Sequence, residues 1–228
     1  MNLFRIISLC VALTLSLPIF AASAKITIGE TSIEVPSYKD LNNANPDAPR
    51  MVEYMASIPR SNFKFYALFL PKNVIVESKK LNALVYAGNY AIFTVKSDTF
   101  NSKYSISDFE RIKKTIASQA SKVDNSNAPS EINNSSVSKN NNVEIRKFVI
   151  GSIISQSPYH ISIPTNMDVK NTNDKSTFTS FSVMSYVLVK NKVLNIQTVY
   201  IDPTRMDVAN AASDAAAWAK AIVTLNGG

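Results

Sequence analysis

The stretch Thr177–Ile201 reads TFTSFSVMSYVLVKNKVLNIQTVYI, and it decides the fold class. Thr177–Val189 and Val193–Ile201 are dense in Val, Ile, Leu, Phe and Tyr, and the β-branched and aromatic side chains among these suit a pleated surface. Only Lys190-Asn191-Lys192 separates the two runs, which suits a tight hairpin. Parallel neighbours would need a crossover of a dozen residues or more. The pairing here is therefore antiparallel. Asp202-Pro203 then opens a turn, and a helix is predicted over about 204–225, stopped by Asn226-Gly227. Ala211, Ala215, Trp218, Ile222 and Leu225 share one face of it. Its many alanines let it approach strands closely, and Trp218 is expected to pack against the sheet rather than stack on a ligand.

Working towards the N-terminus, the pattern alternates. Tyr159–Ile163 reads as a strand closed by Pro164, followed by a polar loop over Asn166–Ser176. Glu144–Ser155 reads as a long strand bending at Gly151. The segment 124–142 is nearly all Asn and Ser, a low-complexity loop with too little apolar surface to fold on its own. Before it, Phe109, Ile112, Ile116 and Ala120 fall on one helical face, with Ser107 and Glu110 spaced as a capping box, which predicts a helix over 107–122. Arg111, Lys113, Lys114 and Lys122 lie off that face. Tyr90–Lys96 and Phe63–Leu70 read as strands, the latter alternating Phe63, Phe65, Ala67 and Phe69 against Lys64, Tyr66 and Leu68, and ended by Pro71. Val74–Glu77 reads as a short strand or the start of a connection. A short helix is expected from about Ala48 to Ser57, with Met51, Val52 and Met55 inward. Ile26–Ile28 and Ser32–Val35 flank Gly29-Glu30-Thr31 as a hairpin closed by Pro36.

The expected fold is thus α+β: a mainly antiparallel twisted sheet packed by two main helices, 107–122 and 204–225, plus the short N-terminal helix. Both halves can be written as a hairpin ending at Pro36 or Pro164, then strands, then an amphipathic helix, which suggests a two-fold internal repeat.

Residues 1–24 carry a different message. One positive charge, Arg5, precedes an apolar run from Ile6 to Phe20, and Ala22-Ser23-Ala24 is a small-x-small cleavage site. This is the signature of a secretory signal peptide cut between Ala24 and Lys25, leaving a single domain over 25–228. The run is about 15 residues, short of the ~20 a spanning helix needs, so no integral membrane segment is expected after cleavage. The chain has 228 residues, one Cys, one His and a formal charge of +7. Cleavage removes Cys10, the only cysteine. The exported domain then has no thiol nucleophile, disulfide or thiolate metal site.

Candidate chemistry is sparse. His160 alternates out of phase with Tyr159, Ile161 and Ile163, and reads as a solvent-side or hydrogen-bonded strand residue; its functional alternative is the general base of a serine-type hydrolase. There is no nucleophile-elbow GxSxG and no glycine-rich phosphate loop. No catalytic residue, metal site or cofactor is assigned. Basic residues occur as scattered pairs, Lys79-Lys80, Lys113-Lys114 and Arg146-Lys147, and no nucleic-acid motif accompanies them. A helix over a sheet can leave an apolar pocket at one edge, the main opening for a ligand. Phe63, Phe65, Tyr66, Phe69, Tyr90 and Phe93 read as core.

Ser180-Phe181-Ser182, Val187–Lys190, Lys192-Val193-Leu194, Trp218–Ile222 and Asn226, with Arg60-Ser61-Asn62 and Ile106–Phe109, resemble a group of uncharacterised bacterial exported (periplasmic) proteins. The resemblance implies export and a strand pair leading into a Trp-bearing helix that ends in Asn. It transfers no activity and no site residue. The ending is also similar in outline to the sandwich of the photosystem oxygen-evolving extrinsic proteins. The expected function is a non-enzymatic envelope binding module whose partner is an envelope protein or a small ligand; the alternatives are the hydrolase and a basic envelope-surface adhesion module.

Overall fold

Lys190 and Asn191 both take positive φ, 46° and 62°, and Val189 pairs with Lys192. This is the two-residue hairpin whose turn twist matches that of its strands. It joins β9 (Thr177–Val189) to β10 (Lys192–Ile201), the long central pair of the sheet. The computed structural model describes residues 22–58, 60, 62–122, 133 and 143–228. Ahead of the pair come β1 (Ala22–Ile28), β2 (Thr31–Pro36), β3 (Leu41–Asn43), α1 (Pro49–Ser57), β4 (Phe63–Pro71), α2 (Lys72–Leu81) and β5 (Asn89–Lys96). Next are α3 (Ile106–Lys122), β6 (Val143–Ile150), β7 (Ser155–Ser157) and β8 (His160–Asn171); α4 (Arg205–Leu225) follows β10. β1 and β2 form their own hairpin sheet. The main sheet runs β3-β4-β5-β10-β9-β8-β6, with β7 also on β8, and its described pairings are antiparallel. The α+β class read from the sequence is the one observed.

The two faces of the sheet differ in chemistry. One presents Ala67, Phe69, Ala91, Phe93, Val187, Val189, Leu194 and Ile196, all buried in one cluster with the hairpin's Ile26, Ile28, Ile33 and Val35 and with Trp218 and Ile222 of α4. Trp218 stacks on Tyr38 (4.6 Å between centroids), meets Phe69 and Phe93 edge-on, and donates its indole N–H to the Pro36 carbonyl at 2.9 Å. It is core, as its spacing implied. The other face is covered beside β4 and β5 by α1 and α2, where Met51, Met55, Val74 and Ile75 meet Leu68, Leu70 and Ile92.

Several elements depart from the sequence reading. Val74–Glu77 lies inside α2: Val74, Ile75 and Ser78 are buried at helical spacing, and Asn82 ends the helix in the left-handed region. In β4 the register slips between Phe65 and Ala67, so the alternation changes phase at Tyr66. Phe63, Phe65 and Leu68 therefore share one face, opposite Lys96, Thr94 and Ile92, and Ala67 and Phe69 take the other. Pro164 does not close a strand, and the expected loop from Asn166 is strand as far as Asn171. The Pro164 carbonyl accepts from Gly151 N–H, so in an antiparallel ladder its ring nitrogen faces the same side. That side is the break between β6 and β7, where no donor is needed, and the expected strand from Glu144 ends at Ile150. The cap of α3 lies two residues earlier than expected: Asp108 N–H donates to Ser105 Oγ, and Asp108 Oδ2 accepts from Ser105 N–H. Lys113, expected off the inner face, is 8% exposed, reaching the Ser157 carbonyl and Glu110.

The suggested repeat gains no support from the topology, because β1–β2 stands apart as its own sheet while β7–β8 belongs to the main one. Ala22, Ala24 and Lys25 sit in β1 opposite Pro36, Val35 and Glu34, and a cut after Ala24 leaves Lys25–Ile28 paired with Thr31–Glu34. Residues 1–21 and, Asn133 apart, the Asn/Ser segment lie outside the described residues.

Candidate ligand-binding cleft

The chain leaves β5 in mid-sheet and re-enters at β6 on the far edge, and α3 lies within that connection. The face that lines the cleft below α3 is half polar. Asn195 of β10 is paired with Thr94 on one side and Tyr186 on the other, so the three stand in one row across β5, β10 and β9. Val193 lies two residues along on the same face, and the Phe63–Lys96 pair lies on it beyond Thr94. Further along, Thr165 and Ser182 join hydroxyls at 2.6 Å, and Gln197 donates to Ser182 Oγ at 3.5 Å. Such a floor offers few apolar partners to an amphipathic helix. Phe109 is fully buried, but Ile112 and Ile116 are only half-buried.

The result is a cleft of about 500 Å³. Phe63, Ile112, Ile116, Tyr186 and Val193 give apolar walls, and Asn195, Thr115 and Gln119 give polar ones. Its size falls within the range of small-molecule pockets, which combine mostly apolar walls with a few placed polar groups. Two features of the lining carry chemical information. The side-chain oxygen of Asn195 is buried and has no hydrogen-bond partner among the described residues. An orphaned buried acceptor of this kind costs about 1–3 kcal/mol. Beside it, burial raises the pKa of the Tyr186 phenol, which keeps it a neutral donor. At the mouth the charges are already matched: Lys96 with Asp98 at 2.9 Å, and Arg111 with Asp108. Hydrogen bonds from Ser105, then Arg111, pull the Asp108 carboxyl down to about 2.

His160 lies elsewhere, opposite Val187 on the α4 side of the sheet. It is 1% exposed, so the solvent-side reading is corrected and the hydrogen-bonded one stands. Its Nε2 meets Ser155 Oγ at 2.8 Å and its Nδ1 meets Ser157 Oγ at 2.7 Å. Ser157 Oγ also accepts from Tyr159 N–H. Burial, then Lys220 and Lys113, holds the imidazole down to about 4. A neutral ring tied at both nitrogens braces the tight β7–β8 connection. Ser155 is within reach of a base, yet a base this weak abstracts a hydroxyl proton poorly near pH 7.

Many cations are engaged in the fold itself. Lys192 caps the Phe100 and Ser102 carbonyls, Lys190 that of Ser32, and Arg60 those of Met55 and Ile58. Lys25, Lys39, Lys79 and Lys170 pair with Glu34, Asp214, Asp47 and Glu144. Of the scattered basic pairs read from the sequence, Lys79 and Lys113 are thus each held by an acid. Among the described residues no helix is long and apolar enough to cross a membrane, and no three His, Cys, Asp or Glu side chains gather as a metal site requires.

The sequence reading anticipated an apolar pocket at one edge of a helix-covered sheet, whereas the cleft lies over the central strands β5, β10 and β9, and its residues were not anticipated. Phe63, read as core, is a wall. Asn195 and Tyr186 went unmarked. The available signal was an Asn, a residue depleted in strands, set between Leu194 and Ile196 in a central strand. No family model matches the chain, and neither a curated protein nor a solved structure does.

Proposed function

We propose that the chain is an exported, periplasmic protein that binds a small, largely apolar ligand in the α3 cleft and performs no chemistry on it. The cleft carries the reading: about 500 Å³ of space under one helix, with apolar walls and a polar floor whose central acceptor has no partner among the described residues. A face built only to pack would have brought α3 down on apolar side chains, as α4 is on the opposite face. The signature in residues 1–24 supports export, and His160 enters as a brace rather than a base.

The test fills the cleft. Titration of N-phenyl-1-naphthylamine, a neutral dye that brightens in apolar sites, is expected to saturate on the wild-type protein. In Ile116→Trp, whose indole occupies the space, affinity is expected to fall at least about tenfold with the thermal midpoint preserved. Equal titrations of the two folded proteins overturn the reading. For export, the intact mass of protein from a periplasmic fraction is expected to begin at Lys25, and a chain retaining residues 1–24 there overturns that part.

A further inference from the structure

The row Thr94–Asn195–Tyr186 says more than that the cleft is partly polar. Thr94 Oγ1 donates to the Asn195 backbone carbonyl, so it is occupied. The Asn195 side-chain oxygen has no donor among the described residues, and the Tyr186 side chain lines the same cleft. The two residues are direct cross-strand partners on one face, so their side chains stand next to each other. One is a primary amide, offering an acceptor and donors a short distance apart; the other is a phenol that can donate. Protein side chains at the mouth do not answer them, because Arg111 and Lys96 are held by Asp108 and Asp98.

We propose that the ligand enters with a neutral amide edge, an N–H beside a C=O, leading an apolar body, and that Asn195 and Tyr186 read that edge. An amide edge satisfies an amide side chain reciprocally: once the Asn195 carboxamide turns about its last torsion so that its buried oxygen faces the cleft, that oxygen accepts the ligand N–H, and the ligand C=O takes an N–H from Asn195 or the Tyr186 hydroxyl. An ester of the same shape can accept but leaves the Asn195 oxygen orphaned. A carboxylate does the same and also carries a full charge to a floor that, among the described residues, holds no unpaired cation. Sites built to hydrogen-bond one group reject the analogue that lacks it far more strongly than apolar walls distinguish shapes. This inference rests on the cleft being a ligand site at all.

The experiment compares three probes with one apolar body: 2-naphthamide, methyl 2-naphthoate and 2-naphthoate, each titrated onto the purified protein by naphthalene fluorescence anisotropy. The amide is expected to bind at least about tenfold tighter than the ester or the acid anion. That margin is expected to shrink to about threefold or less in Asn195→Leu and to narrow in Tyr186→Phe. Both variants are checked by thermal melting, and either one that folds suffices. If the ester binds as well as the amide to wild type, or if the margin survives in every variant that folds, the amide-edge inference fails while the cleft remains a binding site. If none of the three binds, the amide-edge inference fails, and if Ile116→Trp also leaves dye binding unchanged, the cleft reading falls with it.

Discussion

His160 shows what one buried side chain contributes and how pH tests it. Its unfolded reference takes a proton near 6.5, whereas in the fold burial and the neighbouring lysines Lys220 and Lys113 delay protonation to about 4. Between those values the unfolded chain binds more protons, so stability rises with pH through the window. The contribution is full above about 6.5 and is lost as pH falls towards 4. His160→Gln, which never titrates, removes this dependence. Urea melts at pH 7.5, 5.5 and 4.5 are expected to show wild type ahead by roughly 2 kcal/mol at the first and level with the variant at the last. A difference that stays constant across the three would show that the imidazole is not held neutral by its site. The same residue illustrates what a sequence conveys. Strand alternation marked His160 as polar-facing, but only the packing of α4 on that face of β8, with Ser155 and Ser157 beside it in β7, decides that the face is buried.

At the scale of elements, Asn226 explains why the last helix ends as it does. Its side-chain oxygen accepts from Glu34 N–H at 2.9 Å, and its amide nitrogen donates to the Glu34 carbonyl at 2.7 Å and to Ile222 at 2.8 Å. The side chain thus acts as a peptide group that ties α4 to β2. Asn226→Ala is expected to lower unfolding free energy by about 2–3 kcal/mol, since Glu34 loses both partners at once. A chemical denaturation curve within about 0.5 kcal/mol of wild type would mean that water replaces the tie. The periodic elements were legible because a helix or strand that buries one face must write that face into its sequence: α3, α4, β9 and β10 all did. Three misreadings share a physical cause. In α2 the apolar triplet Val74-Ile75-Val76 imitates a strand; two residues face inward, and Val76 is exposed. In β4 one extra residue reverses the phase, and a bulge leaves no mark in composition. At Pro164 the missing donor was taken as the end of a strand, whereas it meets the gap between two shorter partners. Each depends on what lies across the sheet, which no local window contains. The cleft is the extreme case, since Phe63, Asn195, Tyr186 and Ile116 come from four elements and meet only once the register is set.

For the whole molecule, the unequal faces of the sheet imply unequal stability. On one side Ala211, Ala215, Trp218, Ala219 and Ile222 of α4 are buried against strands and hairpin, and Asn226 and Trp218 are hydrogen-bonded to β2. On the other, α3 spans a cleft, its Ile112 and Ile116 half-covered, and is anchored by Phe109 and by Lys113 on the Ser157 carbonyl. Regions with little buried apolar contact open locally at a lower free energy than the global transition. The roof of the cleft should therefore open without the core, which gives a ligand its way in. In native-state hydrogen exchange, amides of 109–119 are expected to exchange at least about tenfold faster than those of 211–222, an opening free energy lower by ~1.4 kcal/mol. Saturating the cleft with 2-naphthamide should slow exchange in α3, because opening the roof dismantles the site that holds the probe. Equal exchange in the two helices would mean that roof and core open as one unit. Exchange in α3 that the bound probe leaves unslowed would mean that this helix opens without disturbing the site, and so is not the roof that admits a ligand.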